Sequence, residues 1–222
     1  VRLMKTPPTF KTFLCVFESV DEASQAVSGI IAAGIVPAAL EMMDQLITQA
    51  LEEAYHFGFP LDAGAVLIVE LDGLPKGVEQ QAKRVEEVCR QNNASEVRLA
   101  KDDAERTALW KCRKRAFGAI GRLSPNYVTQ DGVVPRSKLP EIMCFINSVS
   151  DKYELRIPNV FHAGDGNIHP LILYDERDPD QVKRALQAGH DILDKCIELG
   201  GSVTGEHGIG AEKIDFMAKQ FS

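Results

Sequence analysis

The sequence predicts an α+β fold, a split β-α-β sheet with its helices on one face, continued by a less regular α/β portion. Three features carry this expectation. Strand-forming apolar stretches alternate with helical repeats over the first hundred residues, Ala65-Val-Leu-Ile-Val-Glu-Leu71 reads as a fully buried strand, and the helical repeat over 21–33 stops at Gly34.

The elements follow in order. Residues 12–18 are apolar and rich in strand formers, and 21–33 repeat apolar residues at helical spacing. Residues 36–43 are the next strand and 44–55 a helix. After the strand over 65–71, residues 77–91 form an amphipathic helix and 96–100 a short strand. The sequence β-α-β-(α)-β-α-β is the ferredoxin-like arrangement with one inserted helix, which covers one sheet face and leaves the other available. Beyond it come a helix over 102–122, a strand over 127–134, a helix over 136–151, a hairpin within 159–174, a helix over 179–199, a glycine-dense stretch over 200–210 and a helix over 211–220. The chain therefore divides into a ferredoxin-like lobe, 9–100, and a second lobe, 101–222, that holds the chemistry-bearing motifs.

Composition narrows the partners. A formal charge of −7 and a pI near 5.3 exclude a nucleic-acid-binding surface, and no basic run offers a local exception. No apolar stretch reaches the roughly 18 residues of a membrane span. The five cysteines, Cys15, Cys89, Cys112, Cys144 and Cys196, are odd in number and form no CxxC pair. That is the pattern of reduced core thiols in a cytoplasmic protein. The chain starts at Val1 without an initiator Met and ends just after a predicted helix, as a piece of a longer protein does.

Polar residues concentrate in three places. In Asn159-Val-Phe-His162-Ala-Gly-Asp165-Gly-Asn167-Ile-His169-Pro, Asp165-Gly166 suits a two-residue hairpin turn. That turn would pair His162 with His169 on one face, with Cβ atoms about 5 Å apart, and two such imidazoles can share a metal ion. In Gly200-Gly-Ser-Val-Thr-Gly205-Glu206-His207-Gly208-Ile-Gly210, five glycines in eleven residues rule out a regular element. Glu206 can serve there as a third ligand and His207 as a proton carrier. The stretch has neither the GxGxxG nor the GxxxxGK[ST] spacing of a phosphate loop. The third place is Arg113, which shares an apolar helical stripe with Leu109, Cys112, Ala116 and Phe117. An arginine so placed must find an anion or carry its head to the surface. A structural salt bridge and a fork for a substrate carboxylate both meet that need. His56 and His190 have no companions and are read as structural or surface residues.

Taken together, PNVFHAGDGNIHPLILYD, GGSVTGEHGIGAEKIDFM, LEMMD and DGVVPRSKLPEI resemble the C-terminal FAD-linked oxidase domain of the glycolate oxidase and D-lactate dehydrogenase group, within the vanillyl-alcohol-oxidase-like flavoproteins. The resemblance covers essentially the whole chain. It implies a divalent metal such as Zn or Mn on His162, His169 and Glu206, with His207 as general base and Arg113 gripping the substrate carboxylate. It also implies FAD as cofactor, held by an FAD-binding domain that is absent from this chain, so that the isolated chain is expected to be inactive. The implied partners are a small 2-hydroxy acid, glycolate or D-lactate, that FAD-binding domain, and other oxidase subunits. In this reading the hydroxyl proton leaves to His207 and hydride passes from C2 to the flavin. Leu171 stands where the 2-hydroxyglutarate members carry a polar residue, which favours the smaller substrates. Two other classes compete: a non-catalytic ferredoxin-like interaction module, and a zinc hydrolase using the same three ligands. Metal content separates the first, and reaction with glycolate the second.

Overall fold

The computed structural model describes residues 5–221. β1 (Thr9–Phe17), α1 (Val20–Ala32), β2 (Ala39–Asp44), α2 (Gln45–Tyr55), β3 (Ala65–Gly73), α3 (Pro75–Gln91) and β4 (Glu96–Leu99) follow one another as the sequence predicts. Side chains fix where the helices begin. Ser19 Oγ accepts from the Glu22 N–H at 3.2 Å, and Asp44 Oδ1 from the Ile47 N–H at 3.0 Å. The strands pair antiparallel in the order β4-β1-β3-β2, the order of the split β-α-β fold.

The sheet does not stop there. β2 also pairs with β7 (Asn159–His162), which pairs with β8 (Asn167–Tyr174), and β5 (Asn126–Thr129) and β6 (Gly132–Val133) pair with β8 in turn. One sheet thus runs through both the first and the second half of the chain. The remaining helices are α4 (Asp103–Ile120), α5 (Leu139–Tyr153), α6 (Pro179–Glu198) and the short α7 (Met217–Gln220). No helix among the described residues is long and apolar enough to cross a membrane.

Both sheet faces are apolar because successive side chains of a strand point opposite ways. In β1, Phe13, Cys15 and Phe17 enter the cluster beneath α1, α3, α5 and α6, while Leu14 and Val16 enter a second cluster beneath α2 and α4. The inserted helix is therefore on the face the sequence reading left open, where α4 joins it. Past that second cluster the same face carries charged side chains, and the candidate site lies among them.

Two elements are shorter than the sequence suggests. The strand expected over 127–134 breaks at Gln130-Asp131 into β5 and β6. The helix expected over 211–220 is α-helical only over Met217–Gln220, after a 3₁₀ turn at Ile214–Phe216. Before that turn Lys213 is folded inward, where its Nζ donates to the Val203 carbonyl at 2.8 Å. A lysine with that buried partner cannot also sit on the solvent face of a regular helix. Four of the cysteines are buried and Cys144 is exposed, all of them free thiols.

Candidate active site

The β7–β8 hairpin sets the first two side chains. His162 is opposite Asn167 and His169 opposite Val160, so the loop between the strands is 163–166, four residues rather than two. It closes with the Asp165 N–H donating to the His162 carbonyl at 3.0 Å, and Gly166 takes a left-handed φ of 74°. A Cβ at Gly166 would lie 2.1 Å from the Val134 carbonyl oxygen, so the position needs glycine twice over. The register expected from the sequence is off by two residues. Side chains alternate with period two, so that slip leaves both histidines on one face. The rings are 5.2 Å apart between centroids and nearly perpendicular.

The glycine-rich loop brings the next two. Glu206 Oε1 is 3.5 Å from His162 Nε2 and 3.2 Å from His169 Nε2. His207 stacks on His169 with centroids 5.2 Å apart and planes 12° apart, and its Nε2 is 3.9 Å from the same Glu206 oxygen. Gly205 allows this approach, because a Cβ there would be 2.4 Å from the Asn167 side chain. Beneath the loop is Asp131, at the break between β5 and β6 and fully buried. Its Oδ2 accepts from the Thr204 hydroxyl at 2.6 Å and from the N–H groups of Gly205, Glu206 and His207 at 2.9, 3.1 and 2.8 Å. Burial opposes ionisation of Asp131, but these donors outweigh it and hold the carboxyl at about 2.

Behind the histidines is a third carboxylate. Glu41 of β2 accepts from His162 Nδ1 at 2.8 Å on one oxygen and from Arg113 Nε at 2.8 Å on the other. Arg113 is thus in the same cluster, on α4, joined to the imidazoles through Glu41. Its Nη2 is buried with no hydrogen-bond partner among the described residues, and so is Oδ1 of Asn167. Glu41 raises the pKa of His162 against the opposing effect of burial. Burial, then the neighbouring His162, lowers that of His169, although the Gln130 carbonyl at its Nδ1 works the other way. His56 and His190 lie elsewhere, the first at the left-handed end of α2 and the second against Phe216.

The donor set fits a divalent metal. Glu41 and the Gln130 carbonyl, 2.8 and 3.3 Å from the two Nδ1 atoms, can only accept hydrogen bonds. Each neutral imidazole therefore carries its proton on Nδ1 and leaves Nε2 with a free lone pair, the tautomer a metal requires. Both Nε2 atoms and the Glu206 oxygen converge within 4.8 Å of one another. Tetrahedral bonds of about 2.05 Å place ligand atoms about 3.3 Å apart, close to the spacings of Glu206 to the two rings. Arg113 Nη2 and Asn167 Oδ1 leave one buried donor and one buried acceptor unpaired among the residues around this cluster.

Two features of this site escaped the sequence reading. Glu41 was visible as the one carboxylate inside the apolar run Leu40-Glu-Met-Met43, and a buried charge without an obvious partner always needs one. Asp131 precedes Gly132 and reads as a turn residue, so only the fold reveals that it is buried.

Residues 6–222 match the family model of FAD linked oxidases, C-terminal domain. The chain belongs to this family. The FAD-linked oxidase domain is 49% identical over 222 residues to the glycolate oxidase subunit GlcD of Escherichia coli (strain K12), covering 100% of this chain and 44% of that protein. It is 41% identical over 217 residues to GlcD of Bacillus subtilis (strain 168), covering 98% of this chain and 46% of that one. It is 32% identical over 216 residues to a probable mitochondrial D-lactate dehydrogenase of Danio rerio, covering 96% and 43%. The domain therefore spans less than half the length of these relatives. A crystal structure of p-cresol methylhydroxylase with substrate bound shares its fold with a TM-score of 0.71 at 18% identity, over 99% of this chain and 49% of that one. Alkyldihydroxyacetonephosphate synthase does so with a TM-score of 0.62 at 14% identity, over 90% and 41%.

Proposed function

We propose that this domain is the substrate- and metal-binding part of an FAD-dependent dehydrogenase of small 2-hydroxy acids, glycolate or D-lactate. The observation that carries the reading is the convergence of His162 Nε2, His169 Nε2 and the Glu206 carboxylate, with both Nδ1 atoms held by fixed acceptors. The relatives add the substrate class, since their names are glycolate oxidase and D-lactate dehydrogenase. Leu171 is fully buried in the apolar cluster two residues beyond His169. It offers no polar group for a second substrate carboxylate, which supports a small acid.

In this reading His162, His169 and Glu206 hold a cation such as Zn²⁺ or Mn²⁺, and FAD is held mainly by a partner domain of the same protein. When bound, the cation supplies Lewis acidity at the substrate oxygens, and FAD supplies the acceptor for the hydride of C2. The chain's own residues do the rest. His207, half-exposed and stacked on His169, takes the substrate hydroxyl proton on its imidazole. Arg113 offers its unpaired Nη2 to the substrate carboxylate, while its Nε stays on Glu41. Glu41 keeps the His162 proton on Nδ1. The five free thiols support a cytoplasmic location, and the relatives named as glycolate oxidase subunits add other oxidase subunits as partners.

The test uses the intact flavoprotein. Elemental analysis before and after chelation is expected to show about one divalent metal per chain that a chelator removes. Glycolate or D-lactate is expected to bleach the flavin of the metal-loaded protein in stopped flow. Protein with no chelatable metal, or flavin left oxidised by both acids, would overturn the reading.

A further inference from the structure

We propose that Asp131 is a positioning residue whose carboxylate folds the Thr204–His207 segment into the shape that delivers Glu206 and His207 to the two histidines. The inference rests on the metal-site reading above for what the delivery accomplishes, but the anchoring itself is independent of it. Glu206 and His207 are on an exposed, glycine-rich stretch that is itself neither strand nor helix and is bridged to β6 only upstream, where Ser202 pairs with Val133. Such a segment has high conformational entropy, and a ligand on it is useful only if something fixes the backbone.

Asp131 has two readings, ligand or anchor, and its hydrogen bonds decide between them. Its carboxylate lies near His169 and His207 in a second group with metal-binding composition. However, Oδ2 is already taken by the Thr204 hydroxyl and by three consecutive backbone N–H groups, and Oδ1 lies 3.3 Å from the Glu206 N–H. A carboxylate spent on four donors has little left for a cation. Successive N–H groups turned toward one anion form a nest, and here the anion is built into the protein. Thr204 extends the anchor: its hydroxyl donates to Asp131 and accepts from the Gly208 N–H at 2.9 Å, which closes the turn just after His207. The break between β5 and β6 thereby acquires a purpose, since it is what turns Asp131 beneath the loop.

The test compares the intact protein with Asp131→Asn, Thr204→Val and Thr204→Ser, with Mn²⁺ alone as the probe. Asp131→Asn is nearly isosteric but loses the charge and turns an amide toward the N–H groups. It is expected to lower Mn²⁺ affinity by titration calorimetry roughly 10- to 100-fold, the usual effect of removing an outer partner of a metal site. It should also speed hydrogen exchange at the amides of 205–208 and leave β1 and β3 as protected as before. Thr204→Val should lose affinity in the same direction by a smaller factor, and Thr204→Ser should restore it, because only the hydroxyl matters. Should Asp131→Asn not fold, the two threonine variants decide alone. Wild-type affinity within twofold in both Asp131→Asn and Thr204→Val, or unchanged exchange at 205–208, overturns the anchor. A wild-type protein that binds no Mn²⁺ sinks the metal reading instead, and amide exchange then judges the anchor.

Discussion

Glu70 of β3 and Glu41 of β2 face the same side of the sheet, are buried to the same degree at 7% and 8% exposure, and each meets an arginine of α4. The two arginines, Arg106 and Arg113, are two helical turns apart on one stripe. Glu70 is saturated. It accepts both arms of Arg106 at 2.8 Å, the Thr12 hydroxyl at 2.7 Å and the Trp110 indole at 2.6 Å. Among the described residues Glu41 accepts only from Arg113 Nε and His162 Nδ1, and its arginine keeps a buried Nη2 unpaired. The contrast separates two uses of one chemistry. A closed network of buried charges fixes the fold, whereas one left partly open has a hydrogen bond to spare.

If the open network is where the chemistry happens, the largest single effect belongs to it. In the intact flavoenzyme, His207→Gln is expected to lower the limiting rate of flavin reduction by roughly 10²- to 10⁴-fold, the range for a positioned general base. Substrate affinity should stay nearly unchanged. Stopped-flow reduction across substrate concentrations reads both. A variant with a normal limiting rate and weakened binding would make His207 a binding residue.

The carboxylates themselves give the next contrast. Glu70→Ala strands Arg106 and should cost about 3 kcal/mol of stability, the low end for breaking a buried pair. The low end applies because Arg106 is 31% exposed and regains water. Its metal affinity should be that of wild type. Glu41→Gln leaves the buried Arg113 guanidinium beside a neutral partner and so should also lose about 3 kcal/mol of stability. It should in addition lose roughly 10-fold or more in Mn²⁺ affinity, because it no longer fixes the His162 tautomer. Calorimetry on both variants, beside their denaturant melts, would break the comparison if the two changes in Mn²⁺ affinity came out alike.

The sequence made the sheet legible because its signals there are local. Strand and helix periods alternate without interruption from 9 to 99, and the observed strand order β4-β1-β3-β2 is what that alternation implies. The hairpin histidines were legible as to face but not register. Asp165-Gly166 marked the turn correctly, but its exact length depends on the carbonyl of Val134, just after β6, which crowds Gly166. Glu206 and His207 stood out through the glycines around them. Glu41 and Asp131 did not, because their roles arise from contacts 121 and 76 residues away along the chain, to His162 and His207. No local pattern reports such a contact. Arg113 falls between these cases: its stripe announced that it needed an anion, and the structure supplies Glu41 for one arm while leaving another free.

That half-used guanidinium gives the smallest and sharpest test. Arg106→Lys and Arg113→Lys are the same substitution on the same helix face, so differences between them report on what each network lacks. An ammonium cannot reproduce a planar fork. At position 106 it gives up one of two parallel bonds to Glu70, which should cost about 1 kcal/mol of stability and leave substrate saturation unchanged. At position 113 it can still reach Glu41 but loses the spare Nη2 donor. If that donor is meant for the substrate carboxylate, the KM for glycolate or D-lactate should rise about tenfold, the worth of roughly one hydrogen bond to a charged group. The limiting rate should fall less, since the proton acceptor is untouched. Steady-state kinetics of both variants beside their denaturant midpoints decide the matter. An Arg113→Lys protein that is less stable but has a normal KM would make Arg113 a second Arg106, a strut for Glu41, and the open network would have to find its substrate contact elsewhere.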